Sequence, residues 1–582
     1  MPPLVARQWQ VVMGAPATIG TLFRPRRLFT PTVAAVWRSY ARQAKPSKSV
    51  SRPIVPLNSA IIIPASVPDA RPADLIHFIQ PVLRKHISKE TFCVFLVTPS
   101  FAPWLLNDAV FLEKALHQAY SKLWCGSNET EPPPFQIRAL CAVVDKLPTG
   151  RAFRSAATIG DEVARRMVEP PVAEAGFEGI AYATLPATAS VSSTAPVSSD
   201  KAAIDFIVNE HTADGNKNSD VLRVPLANTV FQTGTATTMT FSTWKARSTT
   251  ERLELVTKSS ISHHGVRIAG RDRAVDRTVS ALSIPLVPLT VPRRVEGCMG
   301  NIIRRVTGPE GNALTASSEL EEVVPRFFKS RGESAQATTA WALVIPGPMS
   351  ETMSLRTKKL LATLQTNSEV NHEGNDLWER LWQDDPPAWN TLVPTALAEG
   401  ARLHRVLSGG GGWGKKAGLL SLDPVPTSDH AHQQSPGEIP SMLEDPQDFA
   451  STLTPVVQDG DFVQFFVSPG LGAGAGGSEP NGLAEFLALP KQDIFGWEFG
   501  TIPSTVDSLP GGSWQHTNST SNEVSVFKNT FGALAEGGLM LTQRILAKKG
   551  ETASAMGATI VDVPFSRFWA VELSDKGGSN RD

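Results

Sequence analysis

The chain has 582 residues, too many for one ordinary domain, so its length predicts two or three packed units. Apolar residues make up 41% of the chain, enough to build real cores, while 45 prolines and 44 glycines favour loops over long helices. The four cysteines are Cys93, Cys125, Cys141 and Cys298, and none of them belongs to a CxxC pair. This spacing argues against a disulfide-framed secreted protein and favours buried free thiols.

The amino-terminal segment is basic and contains no acidic residue before Asp69. Its basic residues are Arg7, Arg24, Arg26, Arg27, Arg38, Arg42, Lys45, Lys48 and Arg52. A segment rich in arginine and hydroxyl groups is typical of a mitochondrial transit peptide. The run Arg38-Ser39-Tyr40-Ala41 resembles a matrix processing site, which predicts cleavage after Tyr40 by the import and processing machinery. A basic arm that contacts nucleic acid is the alternative.

Loss of residues 1–40 removes five arginines and no acids, which leaves 50 basic against 56 acidic residues and moves the net charge from −1 to −6. A mildly acidic mature protein is a poor general binder of phosphate backbones, because that affinity depends on neutralising charge. No uninterrupted apolar run reaches the roughly 18 residues that a spanning helix needs. We therefore expect a soluble protein of the mitochondrial matrix without a membrane span.

Residues 60–186 alternate short apolar runs with amphipathic stretches. The runs predict strands at Ala60–Pro64, Phe92–Val97, Ile137–Val144 and Gly179–Leu185. Helical spacing of apolar residues predicts helices at Asp74–His86 and Phe111–Leu123. Continuous apolar strands that alternate with helices are typical of a layered unit in which helices cover a sheet.

The rest of the chain mixes strand-like and helix-like patterns. Strands are predicted at Ile204–Val208, Val221–Leu226, Thr238–Trp244, Leu253–Thr257, Val279–Val291 and Thr339–Ile345. Ser318 and Glu321 have the spacing of a capping box, which predicts a helix over Glu319–Lys329. Further helices are predicted at Ser354–Gln365, Asp376–Gln383 and Pro394–Leu407. The C-terminal candidates are Phe462–Val467, Gly482–Leu489, Asp493–Phe499, Val524–Phe527 and Thr559–Val571.

These elements predict an α/β or α+β protein of several domains, with mixed sheets covered by helices and long polar loops. The expected boundaries follow changes in composition along the chain. They are a disordered transit peptide at 1–40, an α/β domain at 55–186, a linker at 187–202, a β-rich then helical domain at 203–423, a loop at 424–447, a C-terminal α/β segment at 448–573 and a tail at 574–582.

A glycine-rich stretch, GGGGWGKKAG at 409–418, is the main candidate for ligand contact. Gly409, Gly414 and Lys415 have the spacing of a phosphate-binding loop, and Trp413 is the unusual residue within it. Lys416 stands where that motif needs Ser or Thr, and the predicted helix ending at Leu407 stands where it needs a strand. The departures argue against nucleotide hydrolysis and leave a glycine-rich helix exit or a non-hydrolytic contact with an anion or nucleotide.

Other motifs carry weaker signals. The run GLGAGAGG at 470–477 is interpreted as a mobile loop, because no helix pattern follows it. His430 and His432 have no further ligand at a useful spacing, so no metal site is predicted. No motif for a cofactor, for a nucleophile or for paired catalytic carboxylates is found. An enzyme would therefore need dispersed catalytic residues.

The densest basic region after the leader offers an RNA-contact alternative. Its candidate contacts are Arg267, Arg271, Arg273 and Arg277. Arginine binds phosphate in a bidentate way or stacks on bases. Asp272 and Asp276 interleave with these arginines, so solvated ion pairs are the other interpretation. No aromatic residues alternate with the arginines as they would on a base-stacking surface.

Several segments share their order and texture with a known family. They are CVFLVTP (Cys93–Pro99), LEKALHQAYSKL (Leu112–Leu123), ALCAVVDKLP (Ala139–Pro148), GFEGIAYATLP (Gly176–Pro186) and VVQDGDFVQFFVSP (Val456–Pro469). Their arrangement resembles FIST-type sensory domains and implies small-ligand sensing, including that of amino acids. Where that family has a glycine-bearing turn after the second strand, this chain has Val144-Asp145-Lys146-Leu147. No residue role is therefore carried over.

We therefore expect a non-catalytic matrix protein that senses a small ligand or binds a protein partner, with contacts at Gly409 and Trp413–Lys416. A factor that touches mitochondrial RNA and an enzyme with dispersed catalytic residues are the alternatives. Neither a cofactor nor a metal is part of the prediction.

Overall fold

The computed structural model of the protein describes most of the region from residue 58 to residue 572. The described ranges are 58–123, 135–150, 176–191, 201–213, 216–246, 253–268, 278–308, 310–334, 338–365, 374–383, 392–409, 418–424, 456–468, 495–503, 523–546 and 554–572. All of them lie in one compact unit, Val33–Asp582.

Strands dominate the described residues. The first thirteen are β1 (Asn58–Ile63), β2 (Glu90–Val97), β3 (Gln136–Val143), β4 (Ile180–Pro186), β5 (Ser190–Val191), β6 (Ala203–Ala213), β7 (Asn216–Pro225), β8 (Met239–Ala246), β9 (Leu253–Ser260), β10 (His263–Arg267), β11 (Thr278–Ser283), β12 (Val287–Pro288) and β13 (Arg293–Met299).

Twelve more strands follow in the described ranges. They are β14 (Ile302–Thr307), β15 (Ala313–Thr315), β16 (Ala340–Ile345), β17 (Arg402–Gly409), β18 (Leu420–Leu422), β19 (Phe462–Val467), β20 (Phe495–Thr501), β21 (Ser525–Lys528), β22 (Thr530–Ala535), β23 (Leu539–Leu546), β24 (Ser554–Val561) and β25 (Arg567–Glu572).

The helices of the described residues are fewer than the strands. They are α1 (Pro72–Ile76), α2 (Leu112–Ala119), α3 (Val230–Thr233), α4 (Ala316–Ser330), α5 (Ser350–Gln365), α6 (Gly374–Gln383) and α7 (Leu392–Ala398). Short 3₁₀ turns at Arg84–His86 and Pro99–Leu105 join some of them to the strands.

Sheet 1 contains the strands predicted near the amino terminus, in the order β21-β1-β4-β2-β3-β8-β9. β2 and β3 are parallel, with Phe95 opposite Cys141, whereas β4 is antiparallel to both β1 and β2. The centre of β2 is buried on both faces, as a continuous apolar run predicts. Each fully buried large side chain there stabilises the fold by roughly 1.5–3 kcal/mol.

The two faces of sheet 1 belong to different cores. Phe95 and Ile137 share a buried cluster with Leu75 of α1 and Leu116 of α2. On the opposite face Val94 belongs to a larger cluster, which takes in side chains of the other sheets, such as Phe206, Trp341 and Trp497. The sheets therefore pack on one another, and α1 and α2 pack on the far side of sheet 1.

Sheets 2 and 3 are assembled from distant parts of the chain. Sheet 2 has the order β24-β23-β7-β6-β10-β5, and sheet 3 has the order β11-β25-β20-β22. β20 and β22 are parallel, while β25 is antiparallel to β20. The pairing thus joins strands from segments that the sequence analysis assigned to different domains. Mixed sheets, part of the predicted fold class, are confirmed.

The remaining eight strands include a closed ring of six. β19 pairs with both β13 and β16, and the ring runs onward through β17, β18 and β14 back to β13. Alternate residues of β16 point to opposite sides, because Ala342 and Val344 belong to the cluster of Phe327 and Trp382, whereas Leu343 belongs to the large core.

Several predicted elements were wrong or only partly correct. The helix predicted at Pro394–Leu407 ends at Ala398, and Gly400 at φ 106° leads into strand β17. The helix predicted at Asp74–His86 breaks after Ile76, and a 3₁₀ turn forms only at its end. The run Val279–Val291 divides into β11 and β12.

The predicted capping box is also wrong. Helix α4 begins at Ala316, three residues before the predicted start, and the Ser318 hydroxyl donates to the Thr315 carbonyl oxygen at 2.7 Å. The Ser317 hydroxyl donates to the Glu321 carboxylate at 3.0 Å, so Glu321 pairs with a side chain. Within the described ranges, no helix is long and apolar enough to cross a membrane.

Candidate ligand-binding site

The carboxyl ends of the parallel strands in sheet 1 meet at one edge. Because β4 is antiparallel to β1 and β2, and β3 is parallel to β2, strands β1, β2 and β3 all run in the same direction. They end at Ile63, Val97 and Val143. Crevices outside the carboxyl ends of such strands are the usual ligand sites of open mixed sheets.

The loop after β3 ties this edge to sheet 3. The Val144 amide donates to the Val97 carbonyl at 2.9 Å, which continues the β3 pairing. Lys146 and Leu534 then exchange two backbone hydrogen bonds, at 3.2 and 2.9 Å. The same loop places Pro148 over Gly532 of β22. A Cβ added at Gly532 would lie 3.1 Å from the Pro148 ring. The carboxyl end of β22 therefore joins the edge of sheet 1.

Asp145 is the carboxylate at the centre of this junction. Its Oδ2 accepts a hydrogen bond of 2.8 Å from the backbone amide of Glu536, 391 residues further along the chain. The pKa of Asp145 is raised to about 6, mainly by burial; the Glu536 and Glu178 charges add to the rise, while the amide hydrogen bond and Lys146 oppose it. At neutral pH the Asp145 carboxylate is therefore charged, and this buried charge lowers the stability of the fold.

Glu178 faces the same loop from the segment before β4. The Lys146 ammonium donates to its Oε1, and the two side chains are 17% and 20% exposed. Its Oε2 is buried and has no hydrogen-bond partner among the described residues. Because an ionised carboxylate only accepts hydrogen bonds, an unpartnered buried oxygen costs roughly 1–3 kcal/mol or more. A donor supplied by a ligand would remove that cost.

Two glycines fix the backbone on either side of Glu178. Gly176 has φ +78°, a region that favours glycine, and a Cβ at Gly179 would lie 2.3 Å from the Ile62 carbonyl oxygen. The Gly179 amide donates to the Thr98 hydroxyl at 3.0 Å. Glu178 is therefore held between the ends of β1 and β2.

The charges of the junction favour a cationic ligand. Glu178, Glu536 and Lys146 all lie close enough to Asp145 to affect its pKa, so the described part of the junction holds three carboxyl groups and one ammonium. In the described part of the chain no three His, Cys, Asp or Glu side chains are grouped to hold a metal ion. The arrangement suits an organic cation with N–H donors, because such a group supplies both charge and hydrogen bonds.

The glycine-rich stretch is described only at its two ends, Gly409 and Gly418. Gly409 is the last residue of β17 and pairs with Leu420 of β18. The expected helix before the motif was wrong, since β17 precedes it. However, a phosphate-binding loop must open a helix, and here β18 follows. Trp413, Gly414, Lys415 and Lys416 lie outside the described residues.

The described arginine of the RNA-contact alternative lies inside the fold. Arg267 is the last residue of β10, is 8% exposed, and donates to the Thr188 carbonyl oxygen at 2.8 Å. It therefore offers little surface to a phosphate. Residues outside the described ranges are Arg271, Arg273 and Arg277, the run at 470–477, His430, His432 and the expected cleavage residue Tyr40.

The buried cysteines are packing residues. Cys93 lies 3.0 Å from the Tyr120 hydroxyl, and burial raises the pKa of its thiol to about 12. Cys141 is also buried, and burial raises the pKa of its thiol well above the ordinary value. A thiol with so high a pKa is a poor nucleophile at neutral pH. The predicted free, buried thiols are confirmed at these two positions.

Sequence reasoning missed Asp145, Glu178 and Glu536. The signals present were two charged residues directly after a buried strand, Asp145 and Lys146, and a Glu between glycines, in Gly176–Gly179. Nothing in the sequence indicates that Glu536 meets them.

No protein-family model matches the chain, and neither a curated protein nor a solved structure matches it, so the FIST resemblance stays a prediction.

Proposed function

We propose that the protein is a non-catalytic sensor of the mitochondrial matrix that binds a small molecule carrying a protonated amine. The amine contacts Glu178 and Asp145 at the junction between sheet 1 and sheet 3. The observation that carries the proposal is the buried Oε2 of Glu178, which lies beside a second carboxylate and has no partner in the described ranges.

The chemistry of the junction supports an ammonium group. An ammonium has three donors and a positive charge, so it can bond Glu178 Oε2 and offset the repulsion between Glu178 and Asp145. Lys146 already occupies Oε1 and leaves the other oxygen for the ligand. The small-ligand sensing implied by the sequence resemblance agrees with this choice, and the acid-free leader supports the matrix location.

A thermal-shift screen of the full chain tests the proposal. Primary amines and amino acids are compared with their N-acetylated counterparts, which keep the shape and lose the charge. We expect amines to raise the melting temperature, since a ligand at 100 times its Kd stabilises by about 2.7 kcal/mol. Equal shifts from amines and acetylated partners, or no shift from either, would contradict the proposal.

Two matched variants distinguish the loss of the Glu178 contact from a general effect of removing one negative charge. Glu178→Gln removes the anionic acceptor, so we expect amine affinity to fall about tenfold or more, the value of one charge-assisted hydrogen bond. Glu351→Gln removes an equal charge from the exposed first turn of α5 and should leave the affinity unchanged. A similar loss in both variants would exclude the Glu178 site.

The location is tested separately with fluorescent fusions in cells. We expect residues 1–40 to bring a reporter into mitochondria and their deletion to leave the protein in the cytosol. A full-length fusion that stays outside the organelle would contradict the matrix assignment without affecting the amine site.

A further inference from the structure

The turn between β22 and β23 connects sheet 3 to sheet 2. β22 ends at Ala535 in sheet 3, and β23 begins at Leu539 in sheet 2, so Glu536, Gly537 and Gly538 form the connection. Gly538 has φ +82°, which glycine adopts without strain. Because the two strands belong to different sheets, the position of this turn affects how sheet 3 is attached to sheet 2.

One side of the turn packs against sheet 2. A Cβ added at Gly537 would lie 3.4 Å from Pro225, the last residue of β7, and a Cβ added at Gly538 would lie 3.2 Å from Asp562. Asp562 directly follows β24. Both neighbours belong to sheet 2 or follow it, so these contacts hold the turn on sheet 2 independently of sheet 1.

The other side of the turn is held by the loop after β3, at the proposed ligand site. The Glu536 amide donates to Asp145 Oδ2 at 2.8 Å. Just before the turn, Lys146 and Leu534 exchange two backbone hydrogen bonds. Asp145 would contact the amine, and Lys146 donates to Glu178, which is the other proposed contact. The loop that forms the amine site therefore also holds the carboxyl end of β22.

The start of β22 is attached to sheet 1 by a separate contact. The Asn529 amide, directly before the strand, donates to the Ser59 carbonyl oxygen of β1 at 2.9 Å. This contact does not involve the loop after β3. Proteins open locally as well as globally, in units that share few contacts with the rest of the fold. Loss of the Asp145 contact would therefore release the carboxyl end of β22 and the turn, while the start of the strand stays in place.

We propose that the bound amine controls the opening of the β22–β23 turn, a regulation that rests on the proposed function of the junction. An ionised carboxylate accepts a stronger hydrogen bond from an amide than a neutral carboxyl does. The ammonium favours the ionised form of Asp145 and so strengthens its bond with the Glu536 amide. Because such coupling is reciprocal, opening of the turn lowers the affinity for the amine by the same factor.

Hydrogen exchange of the full chain, resolved to single amides by mass spectrometry, tests this control. The probe is n-butylamine at about 100 times the Kd that calorimetry gives, and N-butylacetamide is its uncharged counterpart. With the amine we expect the Leu534 and Glu536 amides to exchange about 100-fold more slowly, because their exchange requires an opening that releases the ligand. The amides of β9, an edge strand exposed along most of its length, should keep their rates.

Two variants test the contact in the absence of ligand. Asp145→Ala removes the acceptor of the Glu536 amide, so this amide should exchange at least about tenfold faster, the value of one hydrogen bond to a charged group. Asp461→Ala is the control, because it removes the carboxylate that accepts from the Gln458 amide at 3.0 Å. It should leave the exchange of the Glu536 amide unchanged.

The calorimetry separates failure of this control from failure of the amine site. If n-butylamine binds while the Leu534 and Glu536 amides keep their rates, or slow no more than those of β9, the amine site stands and the control of the turn is wrong. Equal exchange of the Glu536 amide in Asp145→Ala and Asp461→Ala would also overturn the control. Absence of amine binding would contradict the proposed function, and the control of the turn with it.

Discussion

Two of the regions that bury carboxylates in the described part of the chain do so differently. On sheet 2, Asp205 of β6 faces Arg223 of β7, and both Asp205 oxygens accept from the guanidinium, at 2.7 and 2.9 Å. At the junction of sheets 1 and 3, Glu178 lies beside a second carboxylate, and the described residues supply a donor to one of its oxygens and none to the other. Asp205, bonded at both oxygens, has the contacts of a structural ion pair. Glu178, bonded at one oxygen, leaves the other for a ligand.

The largest effect is expected from breaking the structural pair. Arg223→Met leaves Asp205 buried without its guanidinium, which should lower the free energy of unfolding by about 3–5 kcal/mol in urea denaturation. Arg138→Met is the control, since it breaks the pair with Glu90, whose side chain is 52% exposed, and should cost less than about 1 kcal/mol. Similar losses in both variants would remove the distinction between the two kinds of pair.

The second-largest effect is expected at Gly179, the glycine beside Glu178. Gly179→Ala places a Cβ against the Ile62 backbone, so we expect a loss of about 1–3 kcal/mol in unfolding free energy and weaker amine binding. At Gly347 the nearest atom to a new Cβ is 3.5 Å away, and Gly347→Ala should change stability by less than about 0.5 kcal/mol. Normal amine affinity in Gly179→Ala would show that this backbone does not position Glu178.

Much of the strand pattern was predictable, for a physical reason. Strands such as β2 and β3 are apolar on both faces, so their composition marks them without any knowledge of their neighbours. The stretch Pro394–Leu407 was misread because its apolar spacing suits both a helix and a strand. Gly400, at φ 106°, is the residue that separates α7 from β17 there.

The candidate site was far less predictable than the strands. Asp145 and Glu536 are 391 residues apart in sequence. The donor is the backbone amide of Glu536, so the type of residue at this position does not reveal the contact. Strand β10 was missed because its His and Arg residues suggested a solvated surface. In the structure Arg267 and His264 are 8% and 6% exposed.

The pH dependence of the junction gives the third prediction. The folded pKa of Asp145 is about 6, above its ordinary value of 3.8, so this carboxyl favours the folded state most below pH 4. That contribution is lost as the pH rises through 6. Asp145→Asn should therefore gain stability relative to the natural chain between pH 4 and pH 7, measured by melting temperature.

The affinity for the amine should increase as the pH rises, whereas the contribution of Asp145 to stability decreases. Because the ammonium needs the charged form of Asp145, affinity measured by calorimetry should fall by up to about tenfold per pH unit below 6. In Asp145→Asn the affinity should be weak at every pH and nearly independent of it. A natural chain whose affinity does not change between pH 7 and pH 5 would exclude Asp145 from the site.

The smallest effect is expected at Glu536. Its backbone amide, and not its carboxylate, bonds Asp145, so Glu536→Gln keeps that hydrogen bond. The variant removes only a neighbouring negative charge, which should lower the pKa of Asp145 and weaken amine binding by about twofold to fivefold, as expected for a partly screened charge. A loss as large as that of Glu178→Gln would mean that Glu536 itself contacts the ligand.

The most direct measurement is a crystal structure of the full chain with the strongest amine from the thermal-shift screen. We predict that the ligand nitrogen lies about 2.7–3.2 Å from Glu178 Oε2, within hydrogen-bond distance, with Asp145 as its second anionic neighbour. A structure in which a side chain of the protein itself bonds that oxygen, while the amine is bound elsewhere, would contradict the assignment of this junction as the ligand site.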